Sequence, residues 1–490
     1  MFGYQITNPP LFWTVVFGIA AVLLGLFFWL RPRRTRLKKQ EEERLQRIEK
    51  ESKEANENIK LIEKHLGIPI YVDGLPKADS PVFDPFAKGV KLMAEYKWEE
   101  AIAEFKQSMQ EAKASQLVAL YNLIGICYYT PGKLDLTGEN WNKSLNLARE
   151  FNDREGESAV LGNLGIVYKI RGELDKAIKY HQDALKLDRD IGNKEGEAAD
   201  LGNLGNVYYT RGELDKAIKY YEDALKLHRE IGNKGGEAKD LIALGIIYQI
   251  RGDLDKTLKY YEDALKIDGE IGNREDEAKA LGNLGIVYRI KGEPDKALKY
   301  HEDAKKIAVE VGAKGTEARQ LEAIALVKQI QGELGLALDL QNQALNIHRK
   351  IGDREAEARC LGNLGIVYQT RGELDKAIKY YEDALKFDRE IGNKKGEAAD
   401  LGNLGIVYQT RGEMDKAIEY YEDALRLNQE LGSKEGMAAQ FNNLGLIFKA
   451  KGEKEKALKY FEDALKLFTQ IGAKREIEKV KENIKILKGE

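Results

Sequence analysis

The sequence predicts an all-α protein, a solenoid of helical hairpins preceded by one transmembrane helix and a charged helical stalk. Three observations carry that prediction. A 40-residue pattern recurs almost verbatim from Leu161 onward, apolar residues inside each copy fall three, four and seven apart, and residues 11–30 carry no charged side chain. A fixed period of this size marks stacked units, each too small to bury its apolar face alone. The array also accounts for the length, since 490 residues exceed what one core organises. With 9 prolines and abundant Ala, Leu, Glu and Lys, the composition favours long helices over sheets. Lys and Arg total 78 against 81 Asp and Glu, a net charge of -3 that gives no reason to expect a nucleic-acid partner. Cys127 and Cys360 lack CxxC spacing, which speaks against a disulfide framework or a thiolate zinc site and suits a reducing compartment.

Residues 1–10 form a short uncharged tail. Residues 11–30, LFWTVVFGIAAVLLGLFFWL, are long enough as a helix to cross a hydrocarbon layer of roughly 30 Å, with Trp13 and Trp29 near the two ends. Arg31, Arg33, Arg34, Arg36, Lys38 and Lys39 follow at once, so a single-pass membrane protein is expected, N-terminus outside and the remainder cytoplasmic. A cleavable signal peptide would have the opposite charge order. Residues 31–66 combine this basic segment with a charged helical stalk, in which Leu45, Ile48, Ser52, Ala55, Ile59, Ile62 and Leu66 alternate spacings of three and four. That seam is read either as a solvated stalk, which its serine and alanine favour, or as a weak homodimer contact. Residues 67–85 hold Pro69, Pro76, Pro81 and Pro85, which block helix continuation and make a linker.

The repeat begins at Leu161, Leu201, Leu241, Leu281, Leu321, Leu361, Leu401 and Phe441, with degenerate copies at Tyr121 and Phe86. About ten units fill residues 86–473, and residues 474–490 read as a polar capping helix. In the copy from Leu161, a first helix runs from about Glu157 to Ile170, Gly172 breaks it, and a second runs from Leu174 to Ile191, ended by Gly192 and Asn193. Leu161, Leu164, Val167, Tyr168, Ala177, Ala184 and Leu185 face the core, and Gly165 and Ala184 are small where helices approach closely. Leu161, Leu164, Gly165, Tyr168, Ala177, His181 and Ala184 stand in the spacing of the tetratricopeptide-repeat (TPR) signature, and the chain resembles that family. The 40-residue period with its LGNLG opening is similar to the subgroup of Pins-type adaptors and kinesin light chains. The resemblance implies a right-handed superhelix whose first helices line the inner wall and bind peptides. The copy from Leu321 departs most, with Ala325 for the repeated glycine and Lys328 for the tyrosine.

Several columns on the first helices are candidate partner contacts. One is apolar, Ile166, Ile246, Ile286, Leu326, Ile366, Ile406 and Leu446, interrupted by Asn206. Beside it runs a mid-helix glycine column, Gly162, Gly202, Gly282, Gly362 and Gly402, which implies close packing by a ligand or by a neighbouring helix. A basic column, Lys239, Lys279, Arg319 and Arg359, with Arg289, could hold an acidic segment or a terminal carboxylate, unless Asp240 and Glu322 neutralise it. A polar column containing Gln249, Gln329 and Gln369 offers hydrogen bonds to a peptide backbone. The repeated asparagines, such as Asn163, could form a ligand ladder, but the family resemblance implies hydrogen bonds between repeats, which is the favoured reading.

No Walker loop, nucleophile elbow or HExxH occurs, and no two histidines have metal-ligand spacing. His181 and His301 share a column with Tyr221, Tyr261, Tyr381, Tyr421 and Phe461 and read as core rings. Neither enzyme activity nor a cofactor is expected. The expected function is a membrane-anchored scaffold for protein–protein interaction, binding a partner protein or an extended peptide. A peptide-responsive switch and an assembly factor for a membrane complex are the alternatives.

Overall fold

The structure, a computed structural model, describes residues 83–489 and, before them, residues 50, 52–60 and 62. Twenty-one helices follow one another from Phe83–Ala94 to Lys474–Lys488, with no strand among the described residues. The sequence writes the punctuation between them. Gly172, Gly192, Gly212 and every twentieth residue onward to Gly472 adopt φ between 65° and 82°, the left-handed region that costs glycine nothing. At Gly172 the amide of Glu173 reaches back to the carbonyl of Tyr168 at 2.9 Å, closing the helix end. In the IGNK turns the next residue then starts a helix: Asn193, Asn233 and Asn393 accept from the amides of Gly196, Gly236 and Gly396. Asp153 does the same for Gly156, which is why the helix there starts at Arg154, three residues before the expected Glu157. Its partner spans Leu174–Ile191.

The chain divides into two compact units, residues 1–273 and 274–490. In the first, five hairpins run from Phe83 to Glu270. In the second, five run from Arg274 to Ile471 and Lys474–Lys488 closes the end. Within each, the helices of one hairpin bury Leu, Ile, Val and Ala against each other and against the next hairpin, so the core is built up cluster by cluster along the repeats. Leu164, Leu204, Leu364 and Leu404 are fully buried. The repeated glycine sixteen residues before each core ring is fixed by that ring: a methyl on Gly165 would lie 2.5 Å from His181, and one on Gly365 2.7 Å from Tyr381. His181 and His301 are each 1% exposed, core rings as their column suggests.

A second aromatic pair recurs outside that core. Tyr168 stacks on Tyr180 with ring centroids 5.0 Å apart, and Tyr368 on Tyr380 at 5.1 Å. Lys176 and Lys376 each lie 5.2 Å from the centroid of the first tyrosine of their pair. In the irregular hairpin this device is missing, because Lys328 stands in the tyrosine column and instead pairs with Glu333 at 3.0 Å.

Three expectations for the N-terminal part are revised. No helix among the described residues is long and apolar enough to cross a membrane. The expected localisation, a single-pass protein with its array cytoplasmic, is corrected on that finding; residues 11–30, on which it rested, lie outside the described residues. The seam is used inside the chain: Ala55, Ile59 and Ile62 are buried, the two isoleucines in the same cluster as Phe83, Phe86 and Val90. Apolar side chains spent on the first hairpin are not free for a homodimer, and they are not solvated. The linker also ends earlier than residue 85, since helix Phe83–Ala94 already contains Pro85 in its first turn, where the missing N–H costs no hydrogen bond.

Candidate functional site

The candidate contacts fall in both units, and each set stands by itself. In residues 1–273 lie Asn206, Lys239, Ile246 and Gln249. Asn206 is buried and committed: its amide donates to the Gly202 carbonyl at 3.0 Å, and its oxygen accepts from the Tyr221 hydroxyl at 2.7 Å. It is a core residue. Lys239 is half-buried next to Asp240, Ile246 is half-buried, and Gln249 accepts from the Tyr261 hydroxyl at 3.1 Å.

The second unit leaves more open. Leu326, Ile366 and Ile406 are 39%, 38% and 37% exposed on three successive first helices, whereas Leu364, Val367 and their equivalents on the same helices are buried. Ile286 is half-buried. Gln369 and Gln409 accept from Tyr381 and Tyr421 at 2.9 and 2.8 Å, which fixes each amide oxygen and leaves the NH2 group to donate. Gln329 donates to Thr370 at 3.3 Å.

The basic column separates into used and unused members. Lys279 is held by Glu275 and Asp276 at 3.0 and 2.9 Å. Arg359 puts two donors on the two oxygens of Glu322, each at 3.0 Å. Arg319 is exposed and touches only Thr316, at 3.3 Å, and Arg289 has no carboxylate partner among the described residues. Of the basic column and Arg289, these two guanidinium groups are the second-unit members with no carboxylate partner among the described residues.

The glycine column belongs to packing between repeats. A methyl on Gly282 would come within 2.6 Å of Gln320, and one on Gly362 within 3.2 Å of Asp400, both on the following first helix. Asn163 likewise donates to Asn122 in the preceding hairpin, at 3.1 Å. The residues that press on these glycines form a buried polar column, which sequence reasoning missed because each member looks like an isolated charge. Asp188 and Asp200, and again Asp388 and Asp400, place two carboxyls in this layer. Burial, reinforced by its Asp200 neighbour, pushes Asp188 up to about 7, and burial with Asp388 nearby pushes Asp400 up to about 8. His181 sits 3.3 Å from Asp200, yet burial holds the imidazole down at about 3 and drives the carboxyl well above its ordinary range. That contact joins two neutral groups and is no ion pair.

The irregular hairpin occupies the same layer differently. Glu322 replaces the glycine, His348 stands 3.0 Å from it, and Cys360 follows on the next first helix. The three donor atoms lie within 4.8 Å of one another.

The tetratricopeptide repeat family matches residues 115–190, 158–230, 195–268, 237–308, 317–390 and 397–470. No curated protein matches the chain. Among solved structures, aspartyl phosphate phosphatase F from Bacillus subtilis is similar at 12% identity and a TM-score of 0.50, over 74% of this chain and 97% of that one. A signal transduction ATPase with numerous domains and a tetratricopeptide repeat sensor, from Pyrococcus horikoshii, is similar at 16% identity and a TM-score of 0.51, over 73% of this chain and 55% of that one. The apo quorum sensor NprR from B. thuringiensis is similar at 15% identity and a TM-score of 0.49, over 71% and 98%. At these identities the likeness is one of fold. The family matches span most of the residues from Ser115 to Gln470, and the chain belongs to the tetratricopeptide repeat family.

Proposed function

We propose that the first-helix face of residues 274–490 binds an extended peptide or a partner protein's extended segment, and that the chain acts as a protein-interaction module. The exposed column Leu326, Ile366 and Ile406 carries this reading. Fully burying one such side chain contributes about 1.5–3 kcal/mol. With a little over a third of each still exposed, covering all three adds only about 2–3 kcal/mol before the cost of ordering a ligand. Affinity therefore needs polar contacts as well. The free NH2 groups of Gln369 and Gln409 suit backbone carbonyls, and Arg319 and Arg289 suit a carboxylate, so an acidic segment is the favoured ligand.

A test is selection of peptides from a random displayed library on the full chain, followed by affinity measurement against the variant Leu326→Ser, Ile366→Ser, Ile406→Ser. These side chains are partly exposed, so the variant retains its helices by circular dichroism. A loss of roughly tenfold or more, equivalent to about 1.4 kcal/mol, supports the reading; equal affinity removes it.

A further inference from the structure

We propose that Glu322, His348 and Cys360 form a binding site for a zinc-class divalent cation that fastens the hairpin Lys314–Ile351 to the following helix Arg354–Thr370. The three ligands come from three helices, Lys314–Ile330, Leu334–Ile351 and Arg354–Thr370, and their donor atoms lie within 4.8 Å of one another. His348 is 1% exposed, Cys360 is fully buried, and the Glu322 side chain is 11% exposed. One carboxylate, one imidazole and one thiolate are a donor set that suits Zn²⁺, with a fourth position left for water or a ligand.

The surroundings are built as a metal's outer shell would be. Metal-bound histidine commonly gives its other ring N–H to a carboxylate. Here Nδ1 of His348 has no hydrogen-bond partner, and the Asp353 carboxylate lies 3.5 Å from it. Arg359 fixes the orientation of Glu322 through two hydrogen bonds. Without a cation, His348 Nε2–H donates to Glu322 at 3.0 Å. On binding, the imidazole proton moves to Nδ1, where Asp353 accepts it, Nε2 takes the cation, and Cys360 releases its thiol proton to solvent. The neighbouring repeats show what this layer holds otherwise. The position of Glu322 is Gly282 or Gly362, that of His348 is Asp388 or Asn428, and that of Cys360 is Ala280 or Asp400. Among the described residues the three potential ligands coincide only where the hairpin that departs most from the pattern meets the following helix.

The experiment titrates Co²⁺ into the full chain, reduced, chelator-treated and without a polyhistidine tag. One equivalent should produce the intense near-ultraviolet band of a cobalt–thiolate bond, displaced by Zn²⁺. Cys360→Ala should abolish the band, and Glu322→Gly should weaken binding by roughly tenfold or more; both put in a residue that other repeats tolerate at that position. Asp353→Asn keeps a helix cap, as at Asn393, and should weaken binding by about 10–100-fold. Absence of the band in the wild-type chain would overturn the proposal. So would a band undiminished in Cys360→Ala, which would belong to Cys127, or unchanged affinity in both Glu322→Gly and Asp353→Asn.

Discussion

Two glycines in one helix should respond in opposite directions to the same substitution. Gly202 and Gly205 both lie inside Lys194–Arg211, where alanine is favoured over glycine by about 1 kcal/mol. A methyl on Gly202 would meet only the Asp240 carboxylate, at 3.7 Å, an ordinary contact. A methyl on Gly205 would lie 2.8, 2.9 and 3.0 Å from three atoms of the Tyr221 ring. That ring is buried and its hydroxyl is anchored on Asn206, so it cannot step aside without giving up a hydrogen bond. Overpacking of this kind costs about 1–3 kcal/mol. Gly202→Ala should therefore stabilise the helix by about 1 kcal/mol, and Gly205→Ala should be worse than it by about 1–3 kcal/mol. Native-state hydrogen exchange of the helix amides reads the local opening energy, which suits a repeat array better than one global transition. Equal protection in the two variants would refute the claim that the ring dictates the repeated glycine.

Other predictions follow from the buried layer and the N-terminal helix. Asp400 has a folded pKa near 8 against an ordinary 3.8, so its contribution to stability is complete below about pH 4 and is lost as pH rises towards 8; Asp400→Asn should make that decline shallower in urea midpoints. Asp188, held near 7, adds a decline between about pH 4 and 7, which Asp188→Asn should remove. Ile59→Ala should destabilise the packing on Phe83 and Phe86 by about 2–5 kcal/mol without altering the sedimentation coefficient, because Ile59 is spent inside the chain.

Much of the fold could be read from local signals. Leu174–Ile191 was bounded correctly because a left-handed glycine and a following cap residue mark its end, and those signals act within a few residues. The tyrosine stacks were missed, although the recurrence of Tyr168 and Tyr180 twelve residues apart held the clue. The candidate site was less legible. Asn206 interrupts an apolar column in the sequence, yet its role is set by Tyr221 on the partner helix. The sequence offers Glu322 as a neutralising group for the basic column but not which member it serves; the structure puts both donors of Arg359, 37 residues away, on its carboxylate. Glu322, His348 and Cys360 match no local metal motif, since three different helices bring them together. Seam spacing in the stalk could not tell a partner chain from the first hairpin, because both offer the same apolar surface.

The central claim, that a peptide lies on the first-helix face of residues 274–490, is tested most directly by photo-cross-linking. A benzophenone side chain is placed at position 366 on helix Arg354–Thr370, or at the exposed Lys379 on the second helix Leu374–Ile391, and each full chain is irradiated with a selected peptide. Cross-links from position 366 and none from 379 are the predicted result. Cross-links from 379 with none from 366 would place the ligand on the other helix and contradict the account.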